Sequence, residues 1–244
     1  MKQLSKLEVE HLKKRYKEKV VLEDISLYVQ EGEIVGLLGP NGAGKTTTFK
    51  SLLGFIKPDS GNIYLNGEDI TDLPVYERAR KGISFLPQEP SIFGDLSVWD
   101  NLMIFLEFHV PDRKERERKA KELLEEFNIY DLKNQKAYTL SGGQRRRLEI
   151  ARSLIINPSF LLLDEPFAGV DPISVKEINK LIVDLIHRDI GVIITDHNVR
   201  ETLKITDRAY IIAHGKVISE GTPEDIVKDP IVKKIFLGED FSLS

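Results

Sequence analysis

The segment Gly39-Pro40-Asn41-Gly42-Ala43-Gly44-Lys45-Thr46 constrains this chain more than any other part of it. It completes the pattern G-x-x-x-x-G-K-[S/T], and its surroundings fit. The apolar run Ile34-Val35-Gly36-Leu37-Leu38 in front of it has the length and content of a buried strand, and a helical pattern follows. Glycines at these positions let the backbone curl so that successive N–H groups point inward, and a helix N-terminus adds partial positive charge. The spacing predicts a phosphate-binding loop in which Lys45 reaches the β- and γ-phosphates and the Thr46 hydroxyl ligates Mg²⁺. Thr47 falls in the same first helical turn.

A strand, a glycine-rich turn and a helix imply an α/β fold, and the rest of the chain keeps that rhythm. Phe160-Leu161-Leu162-Leu163 and Val192-Ile193-Ile194-Thr195 read as two more buried strands. Each runs straight into polar residues, Asp164-Glu165 and Asp196-His197. In open parallel sheets ligands bind beyond the carboxyl ends of strands, so these residues are expected to converge there. Leu7–Val9, Val20–Val29 and Asn62–Leu65 alternate like strands of a separate antiparallel layer. Ala209–Ile212 and Lys216–Glu220, joined through His214-Gly215, read as a late hairpin. From about Pro90 to Asn157 the pattern turns helical. A charge run from Asp112 to Glu126 carries Glu115/Lys119 and Glu117/Lys121 at i,i+4 spacing, with Leu123, Leu124 and Phe127 as an inward stripe.

Length and composition narrow the field. The 244 residues suit one α/β domain with an insertion, and 41% hydrophobic content excludes global disorder. A net charge of −4 argues against retention on nucleic acid by bulk charge. The absence of cysteine removes disulfide scaffolds, thiol catalysis and Cys-based zinc sites. Met1-Lys2-Gln3-Leu4-Ser5 opens no secretory signal, and the apolar runs fall far short of the ~20 residues that span a bilayer.

Two further segments carry chemistry. Asp164, at the tip of a buried strand, is placed to face a hydrated Mg²⁺, and Glu165 to polarise a water in line with a γ-phosphate. In Leu140-Ser141-Gly142-Gly143-Gln144, Ser141 can cap a helix that begins at Gly142 and continues through Arg152, making a second anion cradle. Arg145–Arg147 on that helix read as a solvated or interface face in an acidic chain.

Together these segments closely resemble ABC-type ATPases, over essentially the whole chain. The resemblance implies a P-loop NTPase fold, a RecA-like parallel core with an N-terminal antiparallel β layer and a helical signature subdomain. It implies one ABC ATPase domain over 1–244, with a nucleotide-binding core at 1–88 and 158–220. The helical subdomain would span 89–157 and a C-terminal tail 221–244. Tyr16 resembles the platform on which adenine stacks. Gln88, in Phe85-Leu86-Pro87-Gln88, resembles the glutamine that links the Mg²⁺ site to the helical subdomain. Asp171 resembles the aspartate of a loop crossing a dimer interface, and His197 the histidine that contacts the γ-phosphate and orients the attacking water. Ser141–Gln144 would reach across the dimer to the opposite subunit's nucleotide.

The resemblance also implies partners: a second copy around two Mg-ATP, and transmembrane permease subunits met by the helical subdomain. It implies no nucleic acid, and a cytoplasmic place on the inner face of the cell membrane through partners alone. Residues 168–175, 195–202 and 237–241 look more narrowly like ATPase subunits that power lipopolysaccharide export, although Gly94-Asp95 stands where basic residues are expected. The alternatives are a branched-chain amino-acid importer, whose subunits are similar through Arg145–Arg152, and a non-transport ABC ATPase acting on ribosomes or DNA.

Overall fold

A computed structural model describes residues 4–243; the N-terminal expectation made on Met1-Lys2-Gln3 falls outside them. The strands are β1 (Lys6–Tyr16), β2 (Lys19–Gln30), β3 (Ile34–Leu38), β4 (Ser60–Leu65), β5 (Glu68–Asp69), β6 (Ile83–Leu86), β7 (Phe160–Asp164), β8 (Gly191–Thr195), β9 (Arg208–Ala213) and β10 (Lys216–Gly221). The helices are α1 (Lys45–Leu52), α2 (Val75–Arg80), α3 (Val98–His109), α4 (Arg113–Glu126), α5 (Gly142–Ser153), α6 (Pro172–Asp184), α7 (Val199–Ile205) and α8 (Pro223–Lys228).

The parallel core has the order β9-β3-β8-β7-β6. Both of its faces are covered, so its strands are apolar without alternation. Phe160 and Leu162 of β7 pack with Val35, Leu37 and α1, whereas Leu161 and Leu163 face α3, α5 and α6. β9 and β10 form the expected hairpin, turned through His214 and Gly215 at φ 50° and 74°. Because β3 lies next to β8 and β8 next to β7, the ends of all three strands meet at one edge of the sheet.

The antiparallel strands form the expected N-terminal β layer, with hydrogen bonding continuous into the core. β1, β2, β4 and β5 join the core through one parallel contact, Lys216 of β10 opposite Asp24 of β2, giving a single ten-stranded sheet. β1 is also far longer than Leu7–Val9. After Leu7 and Val9 the register shifts at a bulge where His11 takes φ 50°, and the next inward residue is Leu12. The bulge breaks the two-residue period, which hid the second half of the strand.

At the end of α4, Leu123, Leu124 and the following Phe127 are buried as expected. Glu115 pairs with Lys119 at 3.8 Å, but Glu117 pairs with Arg113 at 3.0 Å and Lys121 with Glu125 at 3.6 Å. The Glu117–Lys121 pair therefore does not form, because each group has a second partner one turn away on its other side.

A buried arginine fixes the far end of α1. Arg78, 1% exposed, donates to the carbonyls of Ser51 (2.6 Å) and Leu52 (2.7 Å), and also to those of Leu73 and Thr71. Burial pushes its pKa down to about 10, and its charge sits at the negative end of the helix dipole. Among the described residues, no helix is long and apolar enough to cross a membrane.

Candidate active site

The loop from Gly39 to Lys45 owes its shape to backbone that only glycine adopts without strain. Gly39 has φ 149°, and a Cβ there would lie 2.0 Å from the Ile212 carbonyl oxygen. Gly42, at φ 77°, faces open space, as a residue that must admit a ligand should. Lys45 Nζ curls back to donate to the carbonyls of Gly39 (2.6 Å) and Pro40 (3.1 Å). Burial lowers its pKa, and Glu165 and Asp164 oppose that shift. A cleft of about 220 Å³ opens over this loop, lined by Asn41, Gly42, Gly44, Lys45, Thr46 and Thr47 with Lys19, Glu165 and His197. Pro40 and Ala43 complete the turn beneath it, with Ala43 N donating to Pro40 O at 3.2 Å.

Glu165 is where the sheet edge becomes a site. It follows β7 at φ 47°, a left-handed conformation costly for a side chain of this size, and its N–H donates to Thr195 O at 2.7 Å. Its carboxylate is bracketed: Gln88 Nε2 donates to one oxygen at 2.7 Å, and His197 Nε2 lies 2.8 Å from the other. The sequence places Gln88, Glu165 and His197 on three separate segments, and the structure brings them together beside Lys45. Asp196 holds this arrangement. Buried at 6% exposure, it accepts from Phe167 N (3.0 Å) and Asn198 N (2.7 Å), stapling the loop after β7 to the loop after β8.

Asp164 faces the same edge. Burial raises its carboxyl pKa, the adjacent Glu165 raises it further, and Arg146, Lys50 and Lys45 oppose the shift. A carboxylate held this way is favoured in its charged form once a cation arrives. Among the described residues, no cluster of three or more His, Cys, Asp or Glu could cage a metal unaided. Thr46, Gln88 and Asp164 each carry a side-chain oxygen of the hard kind that Mg²⁺ takes, few enough to fit an ion that keeps waters and shares phosphate oxygens.

The remaining predicted residues lie elsewhere. Ser141, Gly142, Gly143, Gln144, Asp171 and Tyr16 do not line the cleft around Lys45. Ser141 and Gln144 form a reciprocal capping box at the start of α5, with Gln144 N to Ser141 Oγ at 3.3 Å and Ser141 N to Gln144 Oε1 at 3.0 Å. A Cβ on Gly142 would stand 2.6 Å from Gly169 O, and one on Gly143 would stand 2.4 Å from Ser174 Oγ. These glycines therefore let α5 press on the loop that precedes α6 and on the first turn of α6 itself. Asp171 caps α6, accepting from Ile173 N and Ser174 N, and hydrogen bonding by the Ser174 side chain together with those backbone bonds holds its pKa low. Tyr16 is exposed at the end of β1, paired in register with Lys19, which does line the cleft.

One expectation is overturned. Arg146 does not belong to a solvated face: it is 5% exposed and makes five hydrogen bonds. It donates to the carbonyls of Asp164, Glu165 and Pro166 at 3.0 Å each, to Pro87 O at 2.9 Å and to Glu149 at 3.0 Å. Glu149 accepts in turn from Ser91 N at 2.8 Å, and Arg152 donates to Ser91 O at 2.6 Å. A run of three arginines gives no sign which one turns inward; only its spacing to the buried Glu149 hinted at it. At the Gly94-Asp95 departure, Lys136 Nζ donates to Asp95 O at 2.8 Å, so a cation reaches the segment from another part of the chain.

With this geometry in view, the likenesses to known proteins are informative. Residues 22–168 match the ABC transporter family, and residues 216–242 match the branched-chain amino acid ATP-binding cassette transporter family. The chain is 55% identical to the lipopolysaccharide export system ATP-binding protein LptB of Haemophilus influenzae, covering 98% of this chain and 100% of that one. With the LptB of Escherichia coli K12 the identity is 54%, over 98% and 100%. Among solved structures, the ADP conformation of an ATP-binding cassette of an ABC transporter superposes with a TM-score of 0.85 at 29% identity, over 97% of this chain and all of that one. Strand order, phosphate loop and full-length identity agree: the chain belongs to the ABC transporter family, as one of its nucleotide-binding ATPase subunits.

Proposed function

We propose that this chain is the ATP-hydrolysing subunit of a transporter that exports lipopolysaccharide from the inner membrane. The observation that carries the catalytic part is the bracketed Glu165 carboxylate beside the Lys45 loop. In this reading Gly39 to Thr47 wrap the phosphates of ATP, and Lys45 leaves its carbonyl partners to donate to phosphate oxygens. Tyr16 stacks under the adenine ring. Glu165 accepts the proton of the attacking water as its oxygen bonds to the γ-phosphorus and the bond to ADP breaks; His197 orients that water. Thr46, Gln88 and Asp164 would hold Mg²⁺, which supplies neutralisation of the phosphoryl charge when bound.

Because Ser141–Gln144 and Asp171 stand outside the cleft of their own chain, a second copy completes each site. Two chains close over two ATP molecules, and the γ-phosphate favours closure because it binds only the closed arrangement fully. We take 89–157 as the helical subdomain that meets a transmembrane permease, on the cytoplasmic face, and 1–88 with 158–220 as the nucleotide-binding core. Arg146, inside that subdomain, supplies the link by bonding to the carbonyls of Pro87 and Glu165 in the core, and Gln88, at the boundary between the two, bonds to the Glu165 carboxylate. Full-length identity to the LptB proteins supports lipopolysaccharide export as the task. The match over 216–242 supports the second reading, a branched-chain amino-acid importer.

Purification from native membranes in mild detergent tests this, by identifying the transmembrane protein retained with the chain. An export permease for lipopolysaccharide is the expected result, and an amino-acid permease would replace the first reading with the second. Stimulation of the ATPase by nucleic acid, with no permease retained, would overturn both.

A further inference from the structure

A cavity of about 500 Å³ lies where α2, the end of α3, α4 and the residues after α5 meet, and it shares no residue with the nucleotide cleft. Its floor is apolar, with Val110 and Ile155 at 5% and 4% exposure. Its rim carries Tyr76, Arg80, His109 and Lys119, and no carboxylate lines it. In a chain of net charge −4 this is a local reversal of sign. Arg80 is the notable member. Its guanidinium stacks 5.5 Å from the Tyr76 ring centre, and no carboxylate pairs with it among the described residues. Lys119 has only the 3.8 Å contact to Glu115 along its own helix, while the Tyr76 hydroxyl donates to Glu77.

A guanidinium laid on an aromatic ring keeps its planar fork oriented, and a nearby ammonium adds a point charge. That pairing recognises an anion with several oxygens, and phosphate answers both donors better than a single carboxylate does. The apolar floor disfavours a bare hydrated ion and favours a phosphate carried on a carbon body. We propose that this cavity binds a glycerophosphoryl anion, gripped by Arg80 and Lys119 with the carbon body over Val110 and Ile155. None of these residues takes part in handling ATP, but His109, Val110, Lys119 and Ile155 lie in the subdomain taken to meet the permease, so the site is tested on the chain without that partner.

Calorimetric titration tests it on the full chain, with the nucleotide cleft filled by saturating ADP so that the phosphate loop does not compete. The probes are glycerol 3-phosphate and dihexanoyl phosphatidylglycerol, with dihexanoyl phosphatidylcholine as the zwitterionic control. Saturable binding of the anionic probes is expected. Arg80→Ala and Lys119→Ala should each weaken it by about ten- to a hundredfold, as loss of a charged hydrogen bond predicts. Arg80→Lys, which keeps charge but not the fork, should fall between, and Arg118→Ala, a change elsewhere on α4, should leave it unaltered. Phosphatidylglycerol binding at least about tenfold tighter than glycerol 3-phosphate identifies a lipid headgroup as the source; equal affinities identify a soluble ester. Unchanged thermal midpoints verify folding. No saturable binding of either anion, binding untouched by both alanine variants, or equal binding of the phosphatidylcholine would overturn the proposal.

Discussion

His197 Nε2 lies 2.8 Å from Glu165 Oε1, although the two residues sit at the ends of different strands and Glu165 holds a left-handed backbone to get there. The contact exists because β7 and β8 are in-register parallel neighbours, Asp164 opposite Thr195, and because Asp196 staples the two following loops together. Strain at Glu165 is thus held by neighbouring structure rather than relieved, which would keep it in place for the role of base proposed for it.

Glu165→Gln keeps the shape of the side chain but cannot accept a proton. ATP affinity should remain within about threefold while turnover falls by about 10²–10⁴-fold, the range for loss of a general base. With ATP present, size-exclusion chromatography should show a dimer that the unaltered protein does not accumulate. Hydrolysis at the unaltered rate would remove Glu165 from the role of base.

Arg146→Met leaves four carbonyls and the buried Glu149 without their donor. Removing one partner of a buried charge network costs about 3–5 kcal/mol, so thermal unfolding should shift down by roughly 6–20 °C for a chain of this size. The Arg146→Met, Glu149→Leu double variant should recover part of that shift, because it no longer buries an unpaired carboxylate. If neither variant moves the midpoint, the network is not what joins α5 to the catalytic strand.

Ser141→Ala separates a cap from a ligand contact. Loss of the cap alone costs about 1 kcal/mol, a modest change in melting temperature. If Ser141 also meets the partner copy's nucleotide, kcat should fall by about tenfold or more, beyond what that small destabilisation explains. A variant that melts lower yet turns over normally would confine Ser141 to capping.

Asp164→Asn should make the ligand-free protein more stable and the enzyme inactive. Burial and Glu165 raise the Asp164 pKa in the folded state, so its charge is a penalty at neutral pH. The melting temperature at pH 7 should rise above that of the unaltered protein. As pH falls through the raised folded pKa towards the ordinary value of 3.8, the folded carboxyl takes up its proton and the advantage of Asn should disappear. Mg²⁺-dependent tightening of ATP binding should be lost at every pH.

What the sequence determined is what local physics can encode. Gly39, Gly42 and Gly44 spell a loop because glycine adopts their positive-φ backbone without strain, and the Phe160–Leu163 run spells a buried strand ending in carboxylates. Ser141 and Gln144 announce a capping box at three-residue spacing, and the His214-Gly215 turn closes the hairpin predicted for it. These features need only neighbours in the chain. Tertiary structure decided the rest. Which of three consecutive arginines turns inward depended on carbonyls presented by Pro87, Asp164, Glu165 and Pro166, far away in sequence. The partner of Glu117 depended on rotamers at both ends of a turn, and the union of two β layers rested on one contact, Lys216 opposite Asp24. The bulge at His11 carried β1 past the point where alternation stops. Apart from the exposed Glu117 pairing, each of these rests on satisfying buried polar groups or on register between strands, and those demands arise only once the chain has folded.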